Sequence, residues 1–566
     1  MPPHRLEALL DHLDETKRRF DDEGRAQALK LLAQLDRRRF TDADSLIRFH
    51  EILLFMRAYP QAPRVLRRVE KMLDGFGRRV SALEEAGADL TPLLYAEVSG
   101  IAGTFVADTF GYDITRWLVR RHAPRVSIDW DLHEDEYRLG ATWPRFLPLL
   151  EEDAYVEANV PYTEWLGAAR GGRGHELAWL IERFERSSLS PRERAELYES
   201  LKLTVRWDLD DSRATRTRMK RAARKIFYHT GPLIARREVS LAREFSSPPI
   251  NTKRLSRTAG EAILNLARET STVRYRELYG FTHGDAGRIV GAQIGRGVEV
   301  FVVGVPAERR LPLRAYHAGM IFKNGVPVCY VEGLSLFEKM EIGFNLYYTF
   351  REGESAWIYA RVLKLFRELL GVTAFSVDPY QVGHENEEGI ESGAFWFYRK
   401  LGFRPVVPRV AQILEGEERK LAARPTYRTT ARTLRSLAAG HMILETAEGA
   451  GGSWDRFRVR NVGLAVQRRM AAEFGGDAVR IRRASVQRVE RALGVRTAAW
   501  KERERRAFNE LALVLALVPD LARWNEDEKS ALAAVVRAKA SPDESRYLRL
   551  LQRHSRLRDA VIKLGS

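Results

Sequence analysis

Three stretches of this chain combine residue types that do chemistry. In SIDWDLHEDE, Asp129 and Asp131 alternate with apolar neighbours, and His133, Glu134 and Glu136 follow at once. Carboxylates beside one imidazole offer hard oxygen donors and a nitrogen to a divalent cation. The same residues read equally as an acidic loop leading into a charged helix, whose first turn favours acids. A second acidic patch, Glu151, Glu152, Asp153 and Glu157, lies just beyond. Between 213 and 237 stand nine basic residues and no acid: Arg213, Arg216, Arg218, Lys220, Arg221, Arg224, Lys225, Arg236 and Arg237, with Phe227, Tyr228 and His229 among them. A basic helix with interleaved aromatics tracks a phosphate backbone, or meets the upstream acids inside one fold. The third stretch is FREGESAW, 350–357, where Gly353 and Ser355 precede a helical pattern. A helix start at the carboxyl end of a strand presents N–H groups and a positive dipole end to an anion.

The elements that must position this third stretch follow from periodicity. Residues 340–350 are rich in Phe, Tyr and Ile and suit a strand. Trp357, Ile358, Val362, Leu363, Leu365, Phe366 and Leu369 repeat at helical spacing, and Gly371 stops that helix. A second strand spans 372–377 and ends at Asp378-Pro379. A second helix spans 393–401, closed by Gly402. Upstream, 298–305 reads as a buried strand, and 318–322 with 326–331 as a hairpin through Lys323-Asn324-Gly325. A late strand is expected at 406–410. His283 and Asp285 flank Gly284 and either line a cleft or close a turn. Cys329 reads as a buried strand residue.

Ala394-x-x-Phe397-Tyr398-Arg399-Lys400-Leu401-Gly402-Phe403 resembles the A-x-x-(F/Y)-Y-x-x-x-G-F signature of the GNAT acyltransferase superfamily, over about 298–409. The strand, loop and helix before it stand in that family's order. The resemblance implies a GNAT-like mixed sheet and acyl transfer from acetyl-CoA or another acyl-CoA to an amine. It implies that 350–357 corresponds to the family's (Q/R)-x-x-G-x-(G/A) pyrophosphate loop, with Phe350, Arg351, Gly353, Ser355, Ala356 and Trp357 at the cofactor. Tyr398 corresponds to the general acid for the leaving thiolate. The amine needs a base, for which Glu341 and Glu332 are the candidates. In the insertion YQVGHENEEGIE, His384 can face the substrate, and Asn386 lies before the final helix, farther from Ala394 than the family's usual Asn. Phe350 replaces the family's Gln or Arg, and Glu352 and Glu354 place two negative charges where a pyrophosphate would lie. These acids favour a competing class, a non-catalytic protein that binds nucleic acid or protein on a degenerate GNAT-like core. A metal hydrolase built on Asp129, Asp131 and His133 is a third.

Length and charge bound the whole. A chain of 566 residues, 45% hydrophobic, has room for several cores. Its single cysteine excludes an internal disulfide and a cysteine-based zinc site, and points to a reducing compartment. The charged N-terminus has no apolar signal core, and the longest apolar run, 511–518, cannot span a bilayer. A soluble, cytoplasmic protein without membrane contact is expected, and the Ala and Arg content suggests a bacterial source. The net charge of +17 is uneven: 28 Lys and Arg stand against 16 Asp and Glu from 426 onward. That excess permits polyanion contact through basic helices or marks a solvated surface. The expected fold is α+β and multidomain: a helical bundle over 1–88, a mainly helical domain over 89–250 with 98–122 as a buried helix, a GNAT-like domain over 251–425, and a basic helical domain over 426–566.

Overall fold

A computed structural model describes residues 4–133, 137–147, 161–424, 426–446 and 451–566. The acids Glu134, Glu136, Glu151, Glu152, Asp153 and Glu157 lie outside the described residues. The chain is α+β and divides into two compact units. Unit 1 comprises residues up to Pro232 with Ala262–Thr282 and Lys323–Pro327; unit 2 comprises Leu233–Glu261, His283–Phe322 and Val328–Ser566. No helix among the described residues is long and apolar enough to cross a membrane.

Unit 1 begins with helices whose starts are written in the sequence. Asp21 accepts from the Gly24 N–H, Asp42 accepts from the Ser45 N–H, and Pro63 opens the next helix at its first position. The helix Ala43–Ala58 is buried on nearly all sides, from Leu46 through Phe49 to Ala58, which makes it the centre of this bundle. A small antiparallel sheet follows, in the order β1 (Phe105–Asp108), β3 (Val205–Asp208), β2 (Val126–Ile128). The helix expected over 98–122 is corrected: it exists only as Tyr112–His122, preceded by β1. Gly100 and Gly103 both take φ of +86°, a left-handed backbone that no α-helix passes through.

The basic run 213–237 is also corrected, because it forms no α-helix. Its backbone bonds to other elements instead: Arg216 N–H to Gly100 O, Arg221 N–H to Gly325 O and His229 N–H to Pro60 O. Its side chains are used the same way. Arg216 pairs with Glu51 at 2.7 Å, Arg218 donates to the Asp211 and Asp74 carbonyls, and Lys220 pairs with Glu70 at 2.7 Å. Tertiary partners thus override helix propensity. Asp129 accepts from the Leu132 N–H and faces Arg206 at 3.8 Å. No cluster of three metal-ligating side chains occurs among the described residues.

Unit 2 is built on a nine-stranded sheet in the order β11-β12-β10-β9-β8-β7-β6-β5-β4. Its strands are β4 (Asn251–Arg254), β5 (Val290–Gly295), β6 (Val298–Gly304), β7 (Ala315–Lys323), β8 (Val326–Leu336), β9 (Lys339–Leu346), β10 (Ala374–Val377), β11 (Arg404–Pro405) and β12 (Met442–Glu445). The β7–β8 turn places Asn324 at φ +50° and Gly325 at φ +82°, the left-handed pair of a type I′ hairpin. β8 and β9 pair antiparallel, whereas β9 and β10 run parallel, joined by the crossover helix Ser355–Leu370. The strand expected at 406–410 is displaced. Pro408 opens the helix Pro408–Ala423, and β12 enters between β10 and β11 as an antiparallel strand. The remainder of the C-terminal region is helical, packed around Trp454, Phe457, Phe508, Leu532 and Tyr547.

Candidate functional site

The β9–β10 pair holds register at three positions, Lys339 with Ala374 through Glu341 with Ser376. β9 then runs on to Leu346, while the other chain turns away at Asp378-Pro379. Along β9, Met340, Ile342 and Phe344 are buried, whereas Lys339, Glu341 and Gly343 are half-buried. The two sets face opposite sides of the sheet. Phe344 meets Tyr359 of the helix Ser355–Leu370 with ring centroids 4.8 Å apart, so the crossover helix covers the first set.

The residues expected at a cofactor loop serve the interior. Phe350, Ala356 and Trp357 are buried, and the Gly353 N–H bonds to the Phe350 carbonyl. Arg351 pairs with Glu388. Glu354 is 0% exposed, lies 2.5 Å from Arg296 and accepts from the Ile234 N–H at 3.2 Å. Ser355 begins the helix directly after it. A protein carboxylate with its own counter-ion therefore stands at the helix start where a bound anion would gain most.

The expected acid and bases do not converge. Tyr398 is 3% exposed and packs in an aromatic cluster with Tyr359, Phe397 and Phe403. Burial pushes its phenol pKa up, with a further push from Cys329, whose own thiol is raised by burial. This cluster sits on the crossover-helix face, reached through Tyr359 and Phe344. Glu341 is three residues from Phe344, about 10 Å along the strand, and on the opposite face. Glu332, opposite Gly343, accepts from the Tyr316 hydroxyl. His384 and Asn386 lie in the loop after β10, where Asn386 caps the short helix Glu387–Glu391.

Glu341 instead lines a cleft of about 520 Å³ on the other face of the sheet. Leu334, Leu336, Lys339 and Glu341 form its floor; Arg314, Asp378, His441, Arg458 and Arg460 stand around it. The helix Val459–Phe474 starts at its edge without a side-chain cap. Three arginines and Lys339 thus face two carboxylates. Both acids are already engaged, Glu341 with Arg314 at 3.7 Å and Asp378 with the Tyr380 N–H at 2.9 Å. Lys339 makes no ion pair or hydrogen bond among the described residues. Its Nζ lies 5.7 Å from the ring centroids of both Trp454 and Phe457. Burial lowers its pKa to about 8, against the pull of Glu341 and with the push of Arg458 and Arg314. Burial and Arg458 also lower the His441 pKa, which leaves this imidazole neutral at pH 7. For Arg458 the causes are burial and then Arg460.

The wall carrying Arg458 is fixed by a buried anchor. The Trp454 indole donates to Glu338 at 2.7 Å, and Arg558 also pairs with Glu338. Burial would raise the Glu338 pKa, but the bonds from Arg558 and Trp454 outweigh it and hold the group below the usual carboxylate range. Phe457 packs beneath, so close to Gly565 that a Cβ there would lie 2.3 Å from its ring. Unit 1 has a basic groove of its own, about 470 Å³, with Arg37, Arg39, Lys71 and Arg78; its acid, Asp36, is held by Arg68 and Arg79.

Sequence reasoning singled out Glu341 and missed Arg314, Lys339, His441, Arg458 and Arg460. The usable signal was the alternation Lys339-x-Glu341 in a strand whose other face is apolar. Of their partners, His441, Arg458 and Arg460 arrive from 439–460, which sequence alone placed in a separate domain. No family model, curated protein or solved structure matches this chain.

Proposed function

We propose that this protein binds nucleic acid, using a GNAT-like core as its platform and the cleft at Lys339 and Glu341 as its phosphate site. The observation that carries this reading is the charge of the cleft: Arg314, Lys339, Arg458 and Arg460 converge there beside the start of a 16-residue helix, with both local acids engaged. Phosphates are recognised by this combination of cations and helix-terminal N–H groups. The surface beyond continues the pattern, with Arg468, Arg480, Arg482, Arg483 and Arg488 exposed on the helices Val459–Phe474 and Ala478–Leu493. A chain of phosphates fits such a surface better than one small anion.

Fluorescence anisotropy with a labelled single-stranded oligonucleotide tests the reading. Affinity should fall steeply as salt rises. Arg460→Glu should weaken binding about tenfold and reduce the magnitude of the log–log salt slope by about one. Binding that ignores both salt and this substitution would sink it.

Acyl transfer is the second reading, favoured by one observation, the parting of parallel β9 and β10 beside a strand-loop-helix unit. Against it stand the Glu354–Arg296 pair at the loop and the separation of Tyr398 from Glu341. Acetyl-CoA at about 100 times its Kd would add about 2.7 kcal/mol of stability in a thermal-shift assay. No shift at millimolar acetyl-CoA would remove the coenzyme from the account.

A further inference from the structure

We propose that Lys339 is an amine nucleophile that forms an imine with a carbonyl group on a phosphate-bearing ligand. This inference rests on the reading of the cleft as a phosphate site and adds a covalent step to it.

The geometry supplies three requirements. The amine stands in an open cleft, half-buried, with no ion pair among the described residues and two aromatic rings, Trp454 and Phe457, beside it. Arg314, Arg458 and Arg460 hold the anionic end of a ligand near that amine. Glu341 lies two residues along the same strand on the same face, where a carboxylate can move protons between nitrogen and oxygen. The other titratable groups facing the amine are Asp378 after β10, His441 before β12 and Asp455 in the loop ahead of Arg458. Desolvation and the nearby arginines add reactivity: with a pKa of about 8, roughly a tenth of the amine is neutral at pH 7. An ordinary lysine is neutral at that pH about two hundred times less often.

The step balances without an oxidant or reductant. The Nζ lone pair attacks the carbonyl carbon, and the C=O π pair moves to oxygen. Proton transfer from nitrogen to oxygen gives a neutral carbinolamine. A second proton, delivered through Glu341, turns the hydroxyl into water; the nitrogen lone pair expels it and leaves a protonated imine. One water is lost overall, and hydrolysis reverses the step. Borohydride traps the imine by adding hydride to its carbon, giving a stable secondary amine.

Two sources carry this chemistry, an abasic site in DNA and a small phosphorylated aldehyde. The full chain would therefore be treated with sodium borohydride and either an oligonucleotide containing one abasic site or pyridoxal 5′-phosphate, and the adducts mapped by mass spectrometry. Lys339 should be modified at pH 7 about a hundredfold faster than the exposed lysines. Faster trapping of the oligonucleotide assigns the ligand to DNA; trapping of pyridoxal phosphate alone assigns it to a small molecule. Lys339→Arg should abolish the adduct even at oligonucleotide concentrations that saturate the variant in the anisotropy assay, which separates this step from the binding reading. Arg460→Glu should slow trapping of both phosphate-bearing probes and leave trapping of propanal unchanged. Adducts spread evenly over surface lysines, or undiminished in Lys339→Arg, would overturn the proposal even where nucleic acid binds.

Discussion

The buried pair Glu354–Arg296 makes an asymmetric prediction. Glu354 is 0% exposed, whereas the Arg296 side chain keeps 27% of its surface in water. Arg296→Met keeps the aliphatic stem but leaves the carboxylate buried without this counter-ion. Breaking a buried pair from one side costs about 3–5 kcal/mol. The start of the helix Ser355–Leu370 returns about 1 kcal/mol, because its positive end faces the acid. A net loss of about 3 kcal/mol is expected. For a unit of about 300 residues that lowers the Tm by about 5 °C. Glu354→Gln keeps the volume and an acceptor for the Ile234 N–H, and removes only the charge facing Arg296, whose side chain already reaches water. Its cost should be about 1 kcal/mol. Differential scanning calorimetry of the two variants against the parent measures both. Equal losses, or an Arg296→Met variant within about 0.5 kcal/mol of the parent, would refute the view that desolvation of Glu354 sets the energetics. The same Glu354→Gln variant carries a functional arm: if Glu354 occupies a pyrophosphate position, its neutralisation should strengthen any thermal shift by acetyl-CoA.

In unit 1, Glu277 accepts from the Gly111 N–H and faces Glu199, and desolvation followed by that like charge raises its pKa to about 7 against the Gly111 bond. The folded state then holds the proton more tightly than the unfolded chain, so stability is full below about pH 4.5 and falls as pH rises to about 7. Although the Glu277 carboxyl is crowded by its neighbours, the residue as a whole stays exposed and solvent screens it, so the loss should be only about 1 kcal/mol, and Glu277→Gln should flatten the Tm profile between pH 5 and 8 as read by scanning calorimetry. In the cleft, Lys339 loses its charge above about pH 8, so oligonucleotide affinity at fixed salt should weaken between pH 7 and 9 in the parent and stay level in Lys339→Arg. Tyr398→Phe should leave both nucleic-acid binding and Lys339 trapping within about twofold, since the ring packs on the far face of β9; a tenfold loss of either in the anisotropy or trapping assay would place the hydroxyl in the site.

Local order was legible wherever one residue dictates the backbone. Gly371 ends the crossover helix at φ +71°, Asn324-Gly325 turns the β7–β8 hairpin, and the apolar spacing from Trp357 onward produces a helix of the expected span. Misreadings occurred where partners distant in sequence decide. The stretch 213–237 has helical composition, yet Glu51, Glu70, Asp74 and the Gly100 carbonyl claim its donors, and none of these is visible from within the stretch. β12 went unseen because Met442–Glu445 is four residues long and sits in a helical region; its strand character comes from β10 and β11 on either side.

The site follows the same logic and changes what the motif means. Tyr398 and the loop before Ser355 stand where the resemblance puts them in sequence, but their surroundings have turned both inward, one into an aromatic cluster and the other onto Arg296. The polar face of β9 took the opposite course. Lys339 and Glu341 become the floor of a cleft only where β12 and the start of the helix Val459–Phe474 border that face with His441, Arg458 and Arg460. A chain that bound a coenzyme at this loop would gain nothing from burying Glu354, since a charged side chain at that helix start competes with the ligand for the same field. A chain that binds phosphate on the opposite face, as proposed, benefits from having the first anion site satisfied internally, because it leaves the cleft at Lys339 as the positive site of this sheet. The motif residues and the cleft residues therefore belong to one sheet but to its two sides, and the proposed phosphate ligand rests on the charge balance of the second side.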